Sequence, residues 1–583
     1  MRQRTASIAA CIAVALAFAA PSIIQCSRHG CRPMLDRPSE TDDTRQFLMM
    51  WEVSRVSLRD FGQLPSWNPY HCGGVVHYLD PQVPFPGPLF FLLFFWVPAV
   101  AAIKVWNLAH LVIGALGARK LAEDSGADGP GQVLAAALMV APGAVAEHLG
   151  GGQLWYTPFL LLPWALWAHR RALRDARWEV LAAAILAVSV LEGGVYPVPL
   201  GLATLLFDSL LRLGNRLDRR ALVVSLPLLA LLFPLLAAVK LVPVLAFLRT
   251  TPRLVPLDDQ LGLAEVVQAL TTRAHSRAFP PHPYVWPEYN DYVGVVPLAL
   301  AAVGALVSFR TRERRIDLAL FALLVWCVLG NVPGLSLFAL LHELPIFRSL
   351  RVPSRFLYPS TVLLALLAVH ALSTLRSSRF LRPSLIAVLE IAIAAGVAAD
   401  LALTNGPRLQ QGAGPPVPLA RASDAFHQEA SVDYRQLPFF PQRAIGTPIC
   451  YGGFDWPVSP ALWFGPVPQQ RLEPPEAGGV ELVRWSPSEL RFRASLRAPA
   501  TLVVNQNWDS GWQSSASVPE PRTGLLSVPL PPGEHRIELS HRPAGFTAGL
   551  LLTLAGVVLS VLSLRLTPER LASVRAAVGR ALR

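Results

Sequence analysis

Arg170-Arg171-Ala172-Leu173-Arg174-Asp175-Ala176-Arg177 is a basic island between two apolar runs, at about 154–169 and 178–192. Short Lys/Arg-rich loops stay on the cytoplasmic side of a membrane, so both runs are expected to cross outward from this island. The device recurs along the chain. Arg119-Lys120 closes one apolar run, and Arg212, Arg216, Arg219 and Arg220 follow another. Arg310, Arg312, Arg314 and Arg315 form a further cluster, as do Arg376, Arg379 and Arg382. The stretches on the other side are long and Arg-poor, roughly 27–85, 248–292 and 404–543, and are expected to face outward.

Composition agrees. Of 583 residues, 52% are apolar and only 15% charged, against about 25% charged in soluble proteins; the mean hydropathy is +0.41. The net charge of +12 sits in the short loops, with no basic-aromatic groove beside it, which argues against nucleic acid as a partner. The chain therefore reads as a polytopic α-helical protein whose solvent is a lipid bilayer.

The first crossing is Ser7–Ile24, after Arg2 and Arg4. A cleavable signal peptide competes, because Ala17-Phe18-Ala19 resembles a cleavage site, but the apolar run continues past it and the topology closes with an uncleaved span. Residues 86–118 then hold a short re-entrant or interfacial helix, Pro86–Pro98, and a span. Further spans fall near 131–147, 154–169, 178–192, 195–211, 221–247, 293–309, 316–333, 357–375, 383–403 and 544–564. That makes about 12 crossings with both termini cytoplasmic. Residues 1–403 form the membrane domain with outer loops 27–85 and 248–292, residues 404–543 an outer domain, and 544–583 the last span and a basic tail.

Of the cysteines, Cys11 and Cys327 lie in spans and read as small apolar residues. Cys26, Cys31, Cys72 and Cys450 face the compartment where disulfides form. A Cys31–Cys72 bridge would tie the first loop, but spacing does not decide the pairing.

In the first outer loop, Asp42 and Asp43 precede an amphipathic stretch that runs to about Asp60. Asp at that position caps a helix, and a carboxylate beside the membrane can also deprotonate an acceptor hydroxyl. The two roles are compatible. From about residue 479 the outer domain alternates with period two, from Val480–Trp485 through Glu489–Ala494, Thr501–Val504 and Leu525–Val528 to His535–Leu539, with turns such as Pro531-Pro532-Gly533. This predicts a small antiparallel β-sandwich. Trp508 and Trp512 are either core aromatics or a platform for a sugar ring.

Four ordered segments resemble the YfhO-like family of bacterial membrane proteins, within the GT-C glycosyltransferase class. The first is Leu64-Pro65-Ser66-Trp67-Asn68-Pro69-Tyr70 with Gly73-Gly74. The second is Glu288-Tyr289-Asn290-Asp291-Tyr292-Val293-Gly294. The third is Phe347-Arg348-Ser349-Leu350-Arg351-Val352-Pro353-Ser354-Arg355-Phe356. The fourth is Trp508-Asp509-Ser510-Gly511-Trp512 followed by Pro532-Gly533-Glu534-His535 and Arg542-Pro543. The turn at Trp512 lacks the Asp-Gly that usually follows.

The resemblance implies a GT-C-like membrane domain in the bacterial inner membrane. It implies transfer of a sugar from a polyprenyl-phosphate donor to a cell-envelope acceptor (glycan, glycolipid or protein) at the outer face. Asp43 first, and Asp42 second, map onto its base or metal ligand. No DxD pair is present; metal dependence stays open, with a divalent cation (Mg or Mn) as the cofactor in question. Arg348, Arg351 and Arg355 at the mouth of a span would meet the leaving phosphate, or else snorkel to headgroups. Lys240 is a second phosphate candidate. Trp67, Asn68, Glu147, His148, Glu192, Tyr196 and Glu288 are further substrate-binding candidates, with Asp80 and Asp291 also outward. Two other readings compete: a non-catalytic envelope scaffold, and a lipid or glycan transporter. Against transport, Asp208, Glu390 and Asp400 are scattered, without the half-to-half symmetry of ion-coupled carriers.

Overall fold

The computed structural model describes residues 2–29, 43–93, 96–97, 99–273, 282–376, 382–410, 425–432 and 434–565. Asp42 and Cys31 lie outside these residues.

The protein is a multi-pass membrane protein. Among the described residues six helices are long and apolar enough to cross a bilayer, or seven if one bent pair is a single span. They include Arg4–Ser27, Ala99–Asp124, the long Arg216–Thr250 and the deeply buried Pro353–Leu375. The first helix runs unbroken from Arg2 to His29, through Ala17-Phe18-Ala19. The other expected crossings are also helical but shorter: Leu162–Ala172 after a 3-10 turn, Trp178–Leu191, Pro197–Arg212, Val295–Val307 and Arg312–Val328.

The bent pair shows how a broken span keeps its backbone satisfied. Gly129–Val140 and Gly143–Gly150 meet at 43°, because Pro142 lacks the N–H a continuous helix needs. The freed groups find partners: Asn405 Nδ2 donates to the Ala141 carbonyl at 2.8 Å. The Gly143 N–H donates to the Tyr292 carbonyl at 3.0 Å, and the Ala144 N–H to Asp291 Oδ1 at 3.2 Å. Irregular backbone at membrane depth needs such partners. The break also turns Glu147 and His148 toward the loop 282–294.

Several island arginines pair with buried acids, and the outer-loop Arg273 pairs with the half-buried Asp400. Arg170 bonds Asp208 at 2.7 Å and Asp317 at 2.8 Å, and Arg212 bonds Asp208 at 2.6 Å. Glu390 pairs with Arg376 at 2.6 Å and Asp400 with Arg273 at 2.5 Å. The three acids scattered through the spans are each neutralised by an arginine.

Two four-stranded antiparallel sheets precede the last apolar helix, Phe546–Arg565. One orders Glu520–Arg522, Leu525–Leu530, Ala500–Asn507 and Gln470–Glu473; the other orders Gly478–Trp485, Glu489–Leu496, Gly533–His541 and Trp512–Ser514. Alternate residues such as Phe492, Ala494, Leu502, Val528 and Ile537 are buried in one shared cluster, as period two requires. Trp512 is buried and Trp508 packs against the core, so both serve as core aromatics. Asp509 locks their turn, accepting from the Gly511 N–H at 2.7 Å and lying 2.9 Å from His541 Nε2.

This β region is seated on the first polar loop. Ser66 Oγ donates to the His541 carbonyl at 2.8 Å, and Asn507 Nδ2 to the Cys72 and Gly74 carbonyls at 2.7 and 3.0 Å. Gly74 has φ +106, and a Cβ there would lie 2.7 Å from the Trp67 ring, so the tight loop needs glycine. Cys72 is disulfide-bonded to Cys450, which replaces the expected Cys31–Cys72 bridge. The partner lies 378 residues away, and the bridge joins loop to domain rather than closing the loop on itself.

Candidate functional site

A cavity of about 890 Å³ lies where the first loop, the loop 248–292 and the β region meet the helix ends. One wall is apolar and comes from two helices: Val198 and Leu202 of Pro197–Arg212, and Phe233, Leu241, Val244 and Leu248 of Arg216–Thr250. From Phe233 to Leu248 that wall follows about 22 Å of helix. The polar lining is Lys240, on the second of these helices, with Arg253, Arg351 and Arg355 and the carboxylates Glu288 and Asp455.

Arg355 is held on every side. Its guanidinium lies 3.9 Å from the Tyr196 ring centroid and 4.4 Å from that of Trp155. It donates to both oxygens of Glu288, at 2.7 and 3.0 Å. Planar stacking and a two-pronged bond together fix an arginine as they could not fix a lysine. Glu288 is also 3.4 Å from His148 Nε2. Burial opposes ionisation of Glu288, but Arg355 and His148 outweigh it and hold the carboxyl well below the usual range.

Arg351 lies over Tyr284 at 5.3 Å, and its backbone N–H donates to the Tyr196 hydroxyl at 3.3 Å. Arg253 donates to the Ser349 carbonyl at 2.8 Å. Lys240 is buried, donating to the carbonyls of Tyr78 and Asp80 at 2.8 and 2.9 Å. Asp80 accepts from the Gln82 N–H at 2.9 Å, and burial raises its pKa.

Of the sequence candidates, Tyr196, Lys240, Glu288, Arg351 and Arg355 share this cavity. Asp43 opens the helix Asp43–Arg59, whose Gln46, one turn on, lines the cavity. Thr44 Oγ1 bonds the Gly151 carbonyl at 2.7 Å, tying that helix start to the turn after His148. His148 stands behind Glu288, stacked 4.1 Å from Tyr156. The remaining candidates lie elsewhere. Glu147 pairs with Arg408 at 2.5 Å, and Glu192 with His110 at 2.8 Å. Arg348 is half-exposed, 3.2 Å from Glu343. Trp67 is buried in the joint with the β region, its Nε1 donating to Gln506 Oε1 at 3.1 Å. Asn68 shapes its own turn, accepting from the Tyr70 N–H at 3.1 Å.

The cavity also contains residues that sequence reasoning did not single out: Gln46, Gln82, Gln153, Arg253, Tyr284 and the segment Tyr451–Asp455. Arg253 carried a signal, a cation just past the end of a long apolar helix; the others carried none. Among the described residues no group of three His, Cys, Asp or Glu side chains is placed to hold a metal ion.

No protein-family model matches the sequence, and no curated protein matches it significantly. Among solved structures, the chain is similar to the arabinofuranosyltransferase AftD from mycobacteria, at 18% identity and a TM-score of 0.42, over 67% of this chain and 27% of that one. A mutant form of the same enzyme overlaps at 17% identity and a TM-score of 0.43, over 74% of this chain and 32% of that one. The chain thus spans about a third or less of the length of these structures. An overlap at this level decides neither fold nor activity.

Proposed function

We propose that the protein is a membrane glycosyltransferase of GT-C type, moving a sugar from a polyprenyl-phosphate donor to a cell-envelope acceptor. Transfer takes place at the outer face of the bacterial inner membrane, with about 12 crossings and both termini inside. The observation that carries this reading is a cavity lined both by apolar residues of a membrane-length helix and by cations. A lipid-linked phosphate needs apolar surface for its chain and cations for its head; the long helix offers the first, and Arg253 and Arg351 the second.

The chemistry follows from charge. As the sugar leaves, negative charge grows on the phosphate, and preorganised cations in a low-dielectric cleft stabilise it. Arg355 and Lys240 each make two bonds to protein acceptors and hold the site in shape. Arg351, and Arg253 beyond its one bond to the Ser349 carbonyl, are the cations assigned to the donor. Asp43 is the base that takes the acceptor proton, with Asp42 its neighbour in sequence.

The reading is tested with short-chain polyprenyl-phosphate hexoses and protein in nanodiscs. Arg351→Gln and Arg253→Gln are expected to weaken donor binding by about tenfold or more each, on the scale of a charge-assisted hydrogen bond. Donor binding unchanged in both variants would remove the phosphate site from this cavity.

A further inference from the structure

The segment Tyr451–Asp455 belongs to the chain long after the membrane helices that form the rest of the cavity, yet it lines the cavity throughout. It is fastened at both ends. Cys450, just before it, is bonded to Cys72 of the first loop, and the Tyr451 N–H donates to His71 Nε2 at 3.1 Å. Burial lowers the His71 pKa to about 4, so the ring is neutral and can accept at neutral pH. At the far end, Trp456 stacks on Phe247 at 5.5 Å and 24°, and Phe454 meets the same ring at 5.2 Å.

Between these fastenings stand Gly452 and Gly453. A Cβ at Gly452 would lie 3.1 Å from Gln46 Nε2; one at Gly453 would lie 3.7 Å from Gln82 Oε1 and 4.0 Å from Arg253 Nε. Gln46 thus packs against Gly452, and Gln82 and Arg253 lie at van der Waals distance from Gly453, so two amides and a guanidinium from three segments meet the strap at the cavity surface. Amides offer both donor and acceptor, and the two glycines let those side chains sit close against the strap. That combination suits a group rich in hydroxyls.

We infer that Tyr451–Asp455 is a disulfide-fastened strap forming the acceptor-side wall of the cavity, where a saccharide acceptor lies beside the strap and exchanges hydrogen bonds with Gln46 and Gln82. The acceptor assignment rests on the glycosyltransferase reading; the fastening of the strap does not. The strap makes the site a joint product of both polar modules, so the cavity is incomplete without the late one.

Two arms test this on the full-length protein in nanodiscs. In the first, Gln46→Cys reports access beneath the strap to a membrane-impermeant maleimide; Cys11 and Cys327 are buried. The Cys72→Ser/Cys450→Ser pair, and separately Phe454→Ala/Trp456→Ala, should each speed labelling by about tenfold, as local opening frees a protected site. The second pair leaves the disulfide alone, so misfolding of the first does not decide the result. In the second arm, Gln82→Leu, at a side chain assigned to the acceptor alone, is assayed with alkyl glycosides as acceptors and a short polyprenyl-phosphate hexose as donor. The acceptor KM should rise about tenfold with the donor KM unchanged, because a contact made only by the acceptor has been removed. Unchanged labelling in both loosened variants overturns the fastening. Equal effects on the two KM values, or none, overturn the acceptor wall. No transfer by the wild type defeats the enzymatic reading and the acceptor assignment together, while the labelling arm still decides the strap.

Discussion

Glu288 and Arg355, 67 residues apart, form a two-pronged ion pair at 2.7 and 3.0 Å, clamped between the rings of Trp155 and Tyr196. Glu288 opens the segment Glu288–Gly294 and Arg355 lies in Phe347–Phe356, and the pair joins the two at the cavity. The Glu288 and Arg355 side chains are only 11% and 4% exposed. Removing one partner strands a buried charge, which costs about 3–5 kcal/mol. Arg355→Ala should therefore lower the thermal unfolding midpoint sharply, and Arg355→Lys should rescue it only in part, since an ammonium neither stacks nor forks. Full rescue by Lys would mean that charge alone matters there.

Asp291 gives the protein a distinctive pH dependence. Burial raises its pKa to about 6, against weaker opposing bonds from Thr361 and the Ala144 N–H. A carboxyl whose folded value is raised contributes stability that is present below its unfolded value of about 3.9 and is lost as pH rises through the folded one. The loss is on the order of 3 kcal/mol and falls between about pH 4 and 6. Asp291→Asn should flatten that part of the stability curve, read as unfolding midpoint against pH. Glu288, held low, acts in the opposite sense and at lower pH: its contribution is present above about 4.3 and disappears as pH falls further.

Trp67 is predicted to hold the two polar modules together. It meets Trp512 edge-on at 5.5 Å and His541 at 5.0 Å. Trp67→Ala should cost about 3–5 kcal/mol and expose the joint to limited proteolysis. Gly74→Ala, which forces a side chain into φ +106 and against the Trp67 ring, should act in the same direction by about 1–3 kcal/mol. Wild-type protease resistance in both would mean that the disulfide and backbone bonds hold the joint unaided.

Much of the architecture was legible from charge and period. Arginine islands marked the helix ends, and period-two stretches marked the strands that now pair in register, such as Ile537 with Phe492. The bend at Pro142 was less legible, because the partners that make it tolerable, Asn405 and Asp291, are remote in sequence. The same holds for the cavity. Cations and acids near span ends, such as Lys240, Arg351 and Glu288, stand out against an apolar background. Gln46, Gln82 and Gly452 do not, since an amide or a glycine in a polar loop resembles any other until the fold brings them together. Trp67 illustrates the converse: an aromatic in a polar loop fits a substrate-binding site and a buried joint equally well, and only packing distinguishes them.

The most direct measurement is sugar transfer from polyprenyl-phosphate donors by membranes carrying the wild type, Asp43→Asn or Asp42→Asn, at matched expression. We predict that the wild type transfers and that Asp43→Asn falls by about 100-fold or more, the scale of a lost general base, with Asp42→Asn less affected. Normal transfer by Asp43→Asn, or no turnover of any donor by the wild type, would contradict the glycosyltransferase mechanism proposed for this cavity.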